Sequence, residues 1–111
     1  MELQMSDPLF HEKMKAQTAL SDVIDPELGV NIIDLGLVYE VDFPNVDQII
    51  VNMTLSTPHC PLGEAIKEGV TNVLTAIFPY RNVKINVVWE PVWNFDMMSD
   101  AGREQLGLSP R

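Results

Sequence analysis

Apolar side chains fall on alternate positions twice in the first half of this chain: Leu37, Tyr39, Val41 and Phe43, then Ile49, Val51, Met53 and Leu55. A period of two belongs to a strand with one buried face. Only Pro44-Asn45-Val46-Asp47 separates the clean parts of the two runs, so they predict an antiparallel hairpin. Ile32, Ile33 and Leu35 extend the first run upstream, and its strand is expected to span Ile32 to Phe43. Asn52, Thr54 and Ser56 take the polar side of the second. Beyond Pro61 the period changes. Leu62, Ile66, Val70, Val73, Leu74 and Ile77 repeat at helical spacing, with Lys67, Glu68, Thr71 and Asn72 on the other face, and Pro79 ends the helix. Val83, Ile85, Val87 and Trp89 then alternate with Lys84, Asn86 and Glu90 as a third strand.

The two ends are less regular. Ser6 or Asp7 before Pro8 reads as a helix start, and Met14, Leu20 and Val23 supply a diffuse apolar stripe. Asp25-Pro26-Glu27-Leu28-Gly29 ends that helix in a turn. Pro91 to Met98 is apolar without a firm period, and Ser99 or Asp100 caps a short helix from Ala101 to Leu106. The order helix, strand, strand, helix, strand, helix predicts an α+β fold: a small mixed three-stranded sheet with helices packed on one face. At 111 residues the chain is expected to form a single domain over 1–111, its core running from about residue 8 to about residue 108.

Charge removes several function classes. Sixteen acidic residues against seven basic ones give a formal net charge of −9. A polyanion partner such as nucleic acid needs Lys and Arg in excess, and an anionic membrane surface is equally disfavoured. The first eight residues contain acid and no apolar run, so no signal or transit peptide is expected there. No stretch approaches a membrane span in length. A lone cysteine cannot form an internal disulfide, which fits a reducing cytoplasm.

That cysteine, Cys60, is the first candidate for chemistry. It falls between a strand pattern and a helix pattern, in Ser56-Thr57-Pro58-His59-Cys60-Pro61-Leu62. Pro61 suits a first helical position. Unpaired N–H groups at a helix start favour thiolate over thiol, and a thiolate there can attack an electrophile or bind a soft metal. The rival reading is a small buried hydrophobe, the usual fate of a free cysteine. A cysteine hydrolase has little to build on. His59 is adjacent in sequence and His11 lies in the first helix, whereas a catalytic base is normally brought in from elsewhere in the fold. Structural zinc wants four Cys or His ligands, and the chain has three such residues in all.

Asp25, Glu27 and Asp34 are turn carboxylates, which mostly meet solvent or cap nearby N–H groups; the sharper expectation aims them at the pocket of Cys60. Hydroxyls on Thr54, Ser56 and Thr57 approach the same turn, though a polar strand face normally just meets water. Trp89-Glu90-Pro91-Val92-Trp93 and Met97-Met98 either close the core or form a docking surface.

Three of these segments, in order, resemble one family. Val23 to Tyr39, with Asp25-Pro26-Glu27 and Asp34-Leu35-Gly36 inside it, is similar to the opening signature of the SufT-like and PaaD-like metal-sulfur cluster biosynthesis domain. Met53 to Leu62 resembles its cysteine motif, and Trp89 to Trp93 with Met98-Ser99 and Gly102-Arg103 its closing segment. The likeness runs from about Thr18 to about Leu108, and three ordered motifs are more specific than any one alone. It implies a compact α+β domain like that of iron-sulfur cluster assembly proteins, with the cysteine and Asp-Pro-Glu loops close together. It also implies an accessory factor in iron-sulfur cluster assembly, maturation or delivery, whose partners are scaffold or client proteins. Its pocket residues would be Asp25, Glu27, Leu28, Ser56, Thr57 and Cys60. Ser56 stands where family members often carry threonine, which keeps the hydroxyl. The extra C-terminal cysteines of PaaD-like members are missing, so the SufT-like branch matches better.

Iron-sulfur clusters are usually held by four thiolates, and one chain offers one. Either two subunits of a homodimer each donate Cys60 to a bridging cluster, or Cys60 acts transiently on a partner that owns the cluster. The second asks less of the sequence. Two rivals come from other classes. One is a thiol-dependent enzyme with Cys60 as nucleophile and Asp25 or Glu27 as general acid or base. The other is a pure interaction module in which Cys60 is only packed.

Overall fold

The computed structural model describes residues 3–57 and 63–108. Its elements follow the expected order: α1 (Phe10–Leu20), β1 (Val38–Asn45), β2 (Gln48–Met53), α2 (Gly63–Ile77), β3 (Asn82–Val87), a single 3-10 turn (Phe95–Met97) and α3 (Asp100–Gln105). The sheet order is β1-β2-β3, antiparallel between β1 and β2 and parallel between β2 and β3. A parallel pair needs a crossover, and α2 supplies it. The core lies between one sheet face and the two longer helices. Val41, Ile49, Val51 and Met53 from the sheet meet Ala16 and Leu20 from α1 and Ile66, Val70 and Leu74 from α2, all buried. No helix among the described residues is long and apolar enough to cross a membrane.

Departures from the expected pattern have local causes. Ile32 to Gly36 is a turn and not the start of β1. The Asn31 side-chain oxygen accepts from the Asp34 N–H, Leu35 N–H donates to Asn31 O, and Leu37 N–H donates back to Ile32 O. Gly36 takes a φ of +75°, the left-handed region, and a Cβ there would overlap the Met97 carbonyl. Ile32 and Leu35 of this run are still buried and Ile33 partly so, but by a turn folded onto the core.

Within β1 the register slips between Val38 and Glu40. The bulge turns Val38 inward beside Leu37 and leaves Tyr39, expected on the buried side, only half-buried. β2 ends at Met53, and Thr54, expected on the polar face, is 1% exposed. In β3 the residues Val83, Ile85 and Val87 are only half-buried, and Trp89 lies beyond the strand, exposed.

The helix α1 starts at Phe10, later than Ser6 or Asp7. Asp7 still shapes the entry, its carboxylate accepting from Leu9 N–H and from the Lys13 ammonium at 2.7 Å. The Lys13 partner holds the Asp7 carboxyl below its ordinary range, and the same bond raises Lys13.

Candidate functional site

The segment that carries Cys60 lies between β2 and α2, and the residues on either side of it are described. On the strand side Thr54 N–H donates to Leu37 O at 2.8 Å, and Val88 N–H donates to Met53 O at 2.8 Å. These bonds pin the end of β2 between its neighbours. On the helix side, the space a Cβ on Gly63 would take is filled by the Leu55 side chain, 2.9 Å away. Cys60, with the expected helix start at Pro61, lies outside the described residues; α2 is described from Gly63, three residues further on. Ser56 is half-buried and Thr57 exposed.

The Asp25-Pro26-Glu27 turn is built by Asp25. Its backbone N–H donates to Val30 O and its C=O accepts from Gly29 N–H at 2.7 Å, closing the loop. Its Oδ1 accepts from the N–H groups of Glu27 (2.8 Å) and Leu28 (3.3 Å). Yet Asp25 is 0% exposed, and its Oδ2 has no hydrogen-bond partner among the described residues. A buried polar atom without a partner is rare and calls for an explanation. Glu27 is exposed, and Leu28 packs against the core.

No hydrogen bond among the described residues joins Asp25 to Ser56 or Thr57. What the two segments share is α2. Val23, two residues before Asp25, comes within 3.3 Å of the Cβ position of Gly69, as Leu55 does at Gly63. Six residues of helix separate those contacts, a rise of about 9 Å.

Asp34 behaves differently. Its Oδ1 accepts from the Ser99 hydroxyl at 2.8 Å and its Oδ2 from the Asn31 amide at 2.7 Å, while its C=O accepts from Ser99 N–H at 2.7 Å. Ser99 then caps α3 through Gly102 N–H at 3.1 Å. Both Asp34 oxygens are thus taken, by Asn31 and Ser99, and the residue ties its own turn to the start of α3.

The closing segment splits its side chains between two tasks. Trp93 donates its indole N–H to Leu35 O at 2.6 Å, Met98 is fully buried, and Tyr39 donates its hydroxyl to Pro91 O at 2.9 Å. Burial raises the Tyr39 phenol above its ordinary value. Trp89, Val92 and Phe95 instead stay exposed. Between the two sets, Trp89, Val92 and Trp93 face Thr54, Leu55 and Ser56 across a cleft of about 240 Å³. A second, wider groove of about 800 Å³ runs between α1 and α2 past His11, Met14, Val73 and Ile77. Only the diffuse stripe of α1 hinted at it in the sequence.

His11 lies in that groove near Ile77, fourteen residues and about 21 Å along α2 from Gly63. Among the described residues no imidazole stands near those on either side of the Cys60 segment, and no cluster of three His, Cys, Asp or Glu could hold a metal ion. With one thiol in the chain, the residues present do not fit a resident cluster.

Residues 13–87 match the model of the iron-sulfur cluster assembly protein family. The chain is 44% identical over 87 residues to the Fe-S protein maturation auxiliary factor SufT of Staphylococcus aureus, covering 78% of this chain and 99% of that one. It is 39% identical over 90 residues to the Fe-S protein maturation auxiliary factor YitW of Bacillus subtilis, covering 81% and 88%. A crystal structure of a domain of unknown function from Bacillus anthracis superposes with a TM-score of 0.80 at 38% identity, covering 86% of this chain and 92% of that chain. This chain therefore belongs to the iron-sulfur cluster assembly protein family, in its SufT-like part.

Proposed function

We propose that this protein is an accessory factor in the maturation of iron-sulfur proteins and works through Cys60. The match along 99% of a maturation auxiliary factor carries the reading, since a shared domain alone would cover far less of that relative. The cluster is cargo. Cys60 supplies one thiolate to an iron held otherwise by a scaffold or client protein, and it lets go when the client's own ligands take over. One protein thiolate among four binds weakly enough to release, which suits delivery better than storage.

Asp25 and the hydroxyls of Ser56 and Thr57 complete the site in this reading. The support is that Val23, just before the Asp25 turn, and Leu55, just before Ser56, both pack on α2, about 9 Å apart along its axis. A buried carboxyl oxygen that folding leaves without a partner among the described residues is what supports a role for Asp25 beyond stability. Glu27, exposed on the same turn, meets the partner's surface, and Leu28 anchors the turn to the core. Iron-sulfur scaffolds and their clients are the partners, in the cytoplasm.

The test is a strain lacking this protein, complemented with wild type or Cys60→Ser. Specific activity of cluster-dependent enzymes should fall in the null strain and with Cys60→Ser, while the abundance of those enzymes stays constant. Normal activity in the null strain under iron limitation and oxidative stress would remove the reading. A subunit-bridging cluster is measured by the same variants purified anaerobically: one cluster per two chains, lost with Cys60→Ser, would replace transient action with a homodimer.

A further inference from the structure

The cleft beside Ser56 is not shaped for a small molecule. At about 240 Å³ it falls below the roughly 300–1,000 Å³ of ordinary ligand pockets, yet it has room for one large apolar side chain. Its wall is preformed. Trp93 is held by its bond to Leu35 O and by edge contact with Phe95, ring centroids 5.3 Å apart. Trp89 is 44% exposed, Val92 69% and Phe95 51%, so three large apolar residues stand in water within seven positions. Fixed aromatic side chains around a small pocket are where binding energy concentrates in protein interfaces.

Charge narrows the choice of occupant. Glu90 and Asp96 are exposed within this same stretch, and neither forms an ion pair among the described residues. The chain as a whole carries −9, so a second copy would bring like charge to these exposed carboxylates. A cationic segment gains from both carboxylates and from the exposed face of Trp89, which attracts Lys or Arg. We propose that this cleft docks a segment of a client protein that presents one large apolar side chain flanked by lysine or arginine. The inference rests on the maturation role proposed above and gives that role a means of choosing partners.

Titration of the isotope-labelled full chain, followed by NMR, tests it with three capped synthetic peptides. The first has a phenylalanine flanked by two lysines on each side; its twins carry alanine for the phenylalanine or glutamate for the lysines. Saturable shifts are expected at the Trp89 and Trp93 indole N–H and the Val92 methyls with the first peptide. Binding should be at least ~10-fold weaker for either twin and should weaken with salt. Val92→Lys, at an exposed position, should abolish binding without loss of fold. Cys60→Ser should bind normally. Absence of shifts at these residues, or equal binding of the glutamate twin, overturns the proposal. Self-association lost in Val92→Lys would give the cleft to a second copy and overturn it too. The two readings fail separately: full maturation by Val92→Lys counts against the docking cleft alone, and full maturation by Cys60→Ser counts against the role of the thiol alone.

Discussion

Asp25 and Asp34 stand nine residues apart, each in a tight turn and each contributing carboxylate-to-N–H or carboxylate-to-amide bonds to its own loop. Asp34 is partly open to water, yet both of its oxygens are bonded, to Asn31 and Ser99. Asp25 is fully buried, yet one of its oxygens has no partner among the described residues. Stability alone would arrange them the other way round, since an unpaired polar atom is costly in the interior and cheap at the surface. Asp34 ties the first turn to the last helix. Asp25 keeps a polar atom where folding gains nothing from it, which is the pattern expected when function holds a residue in place.

If the Asp34 side of the molecule is scaffold, damage there should cost stability first. The largest effect is expected from Gly36→Ala. The new Cβ meets the Met97 carbonyl and the left-handed backbone is strained, so roughly 3–4 kcal/mol should be lost, with low soluble yield. Trp93→Ala comes next. Its ring is only half-buried but also bonds Leu35 O, and denaturant unfolding should show a loss of about 3 kcal/mol. Trp89→Ala, on the exposed side of the same segment, should leave unfolding nearly unchanged, within about 0.5 kcal/mol. Equal losses at Trp89 and Trp93 would erase the division between closing the core and lining the cleft.

Tyr39→Phe is a smaller and more pointed change. It removes the bond to Pro91 O and should cost about 0.5–1 kcal/mol at neutral pH. Because burial raises the folded phenol above its unfolded value of about 10, its contribution is intact below that pH and fades as pH climbs through the folded value. Wild type should therefore lose stability in alkaline solution more steeply than Tyr39→Phe. Parallel curves would show that the phenol is not held as described. Cys60→Ser should change the thermal midpoint least of all if Cys60 serves as a working thiol, because a thiol-to-hydroxyl swap changes side-chain size little.

The fold was legible wherever a period ran uninterrupted. Ile49, Val51 and Met53 sit inward as their alternation requires, and Ile66, Val70 and Leu74 form the buried stripe of α2. Legibility failed where a side chain overrode the pattern. Asn31 and Asp34 bend Ile32 to Gly36 into a turn that still buries Ile32 and Leu35, and strand and turn look the same to a count of hydrophobic positions. The bulge at Val38 also leaves no trace in composition. For the site, the family resemblance selected Asp25 and Ser56 and left Asp34 out, but no physical property of the sequence distinguished the two turn carboxylates. That difference depends on Ser99, sixty-five residues away from Asp34, and on the burial of one oxygen.

Asp25→Asn and Asp34→Asn, compared side by side for thermal midpoint and for maturation of cluster enzymes in the complemented null strain, test this division most directly. Asp34→Asn should lose about 1–2 kcal/mol, several degrees in a domain of this size, as its bonds to Asn31 and Ser99 weaken. Its maturation should fall only as far as its folded population does. Asp25→Asn keeps an oxygen for Glu27 and Leu28 and changes the side-chain shape little, so its midpoint should hold while maturation is lost. Normal maturation by Asp25→Asn, or a drop in its midpoint matching that of Asp34→Asn, would contradict the account.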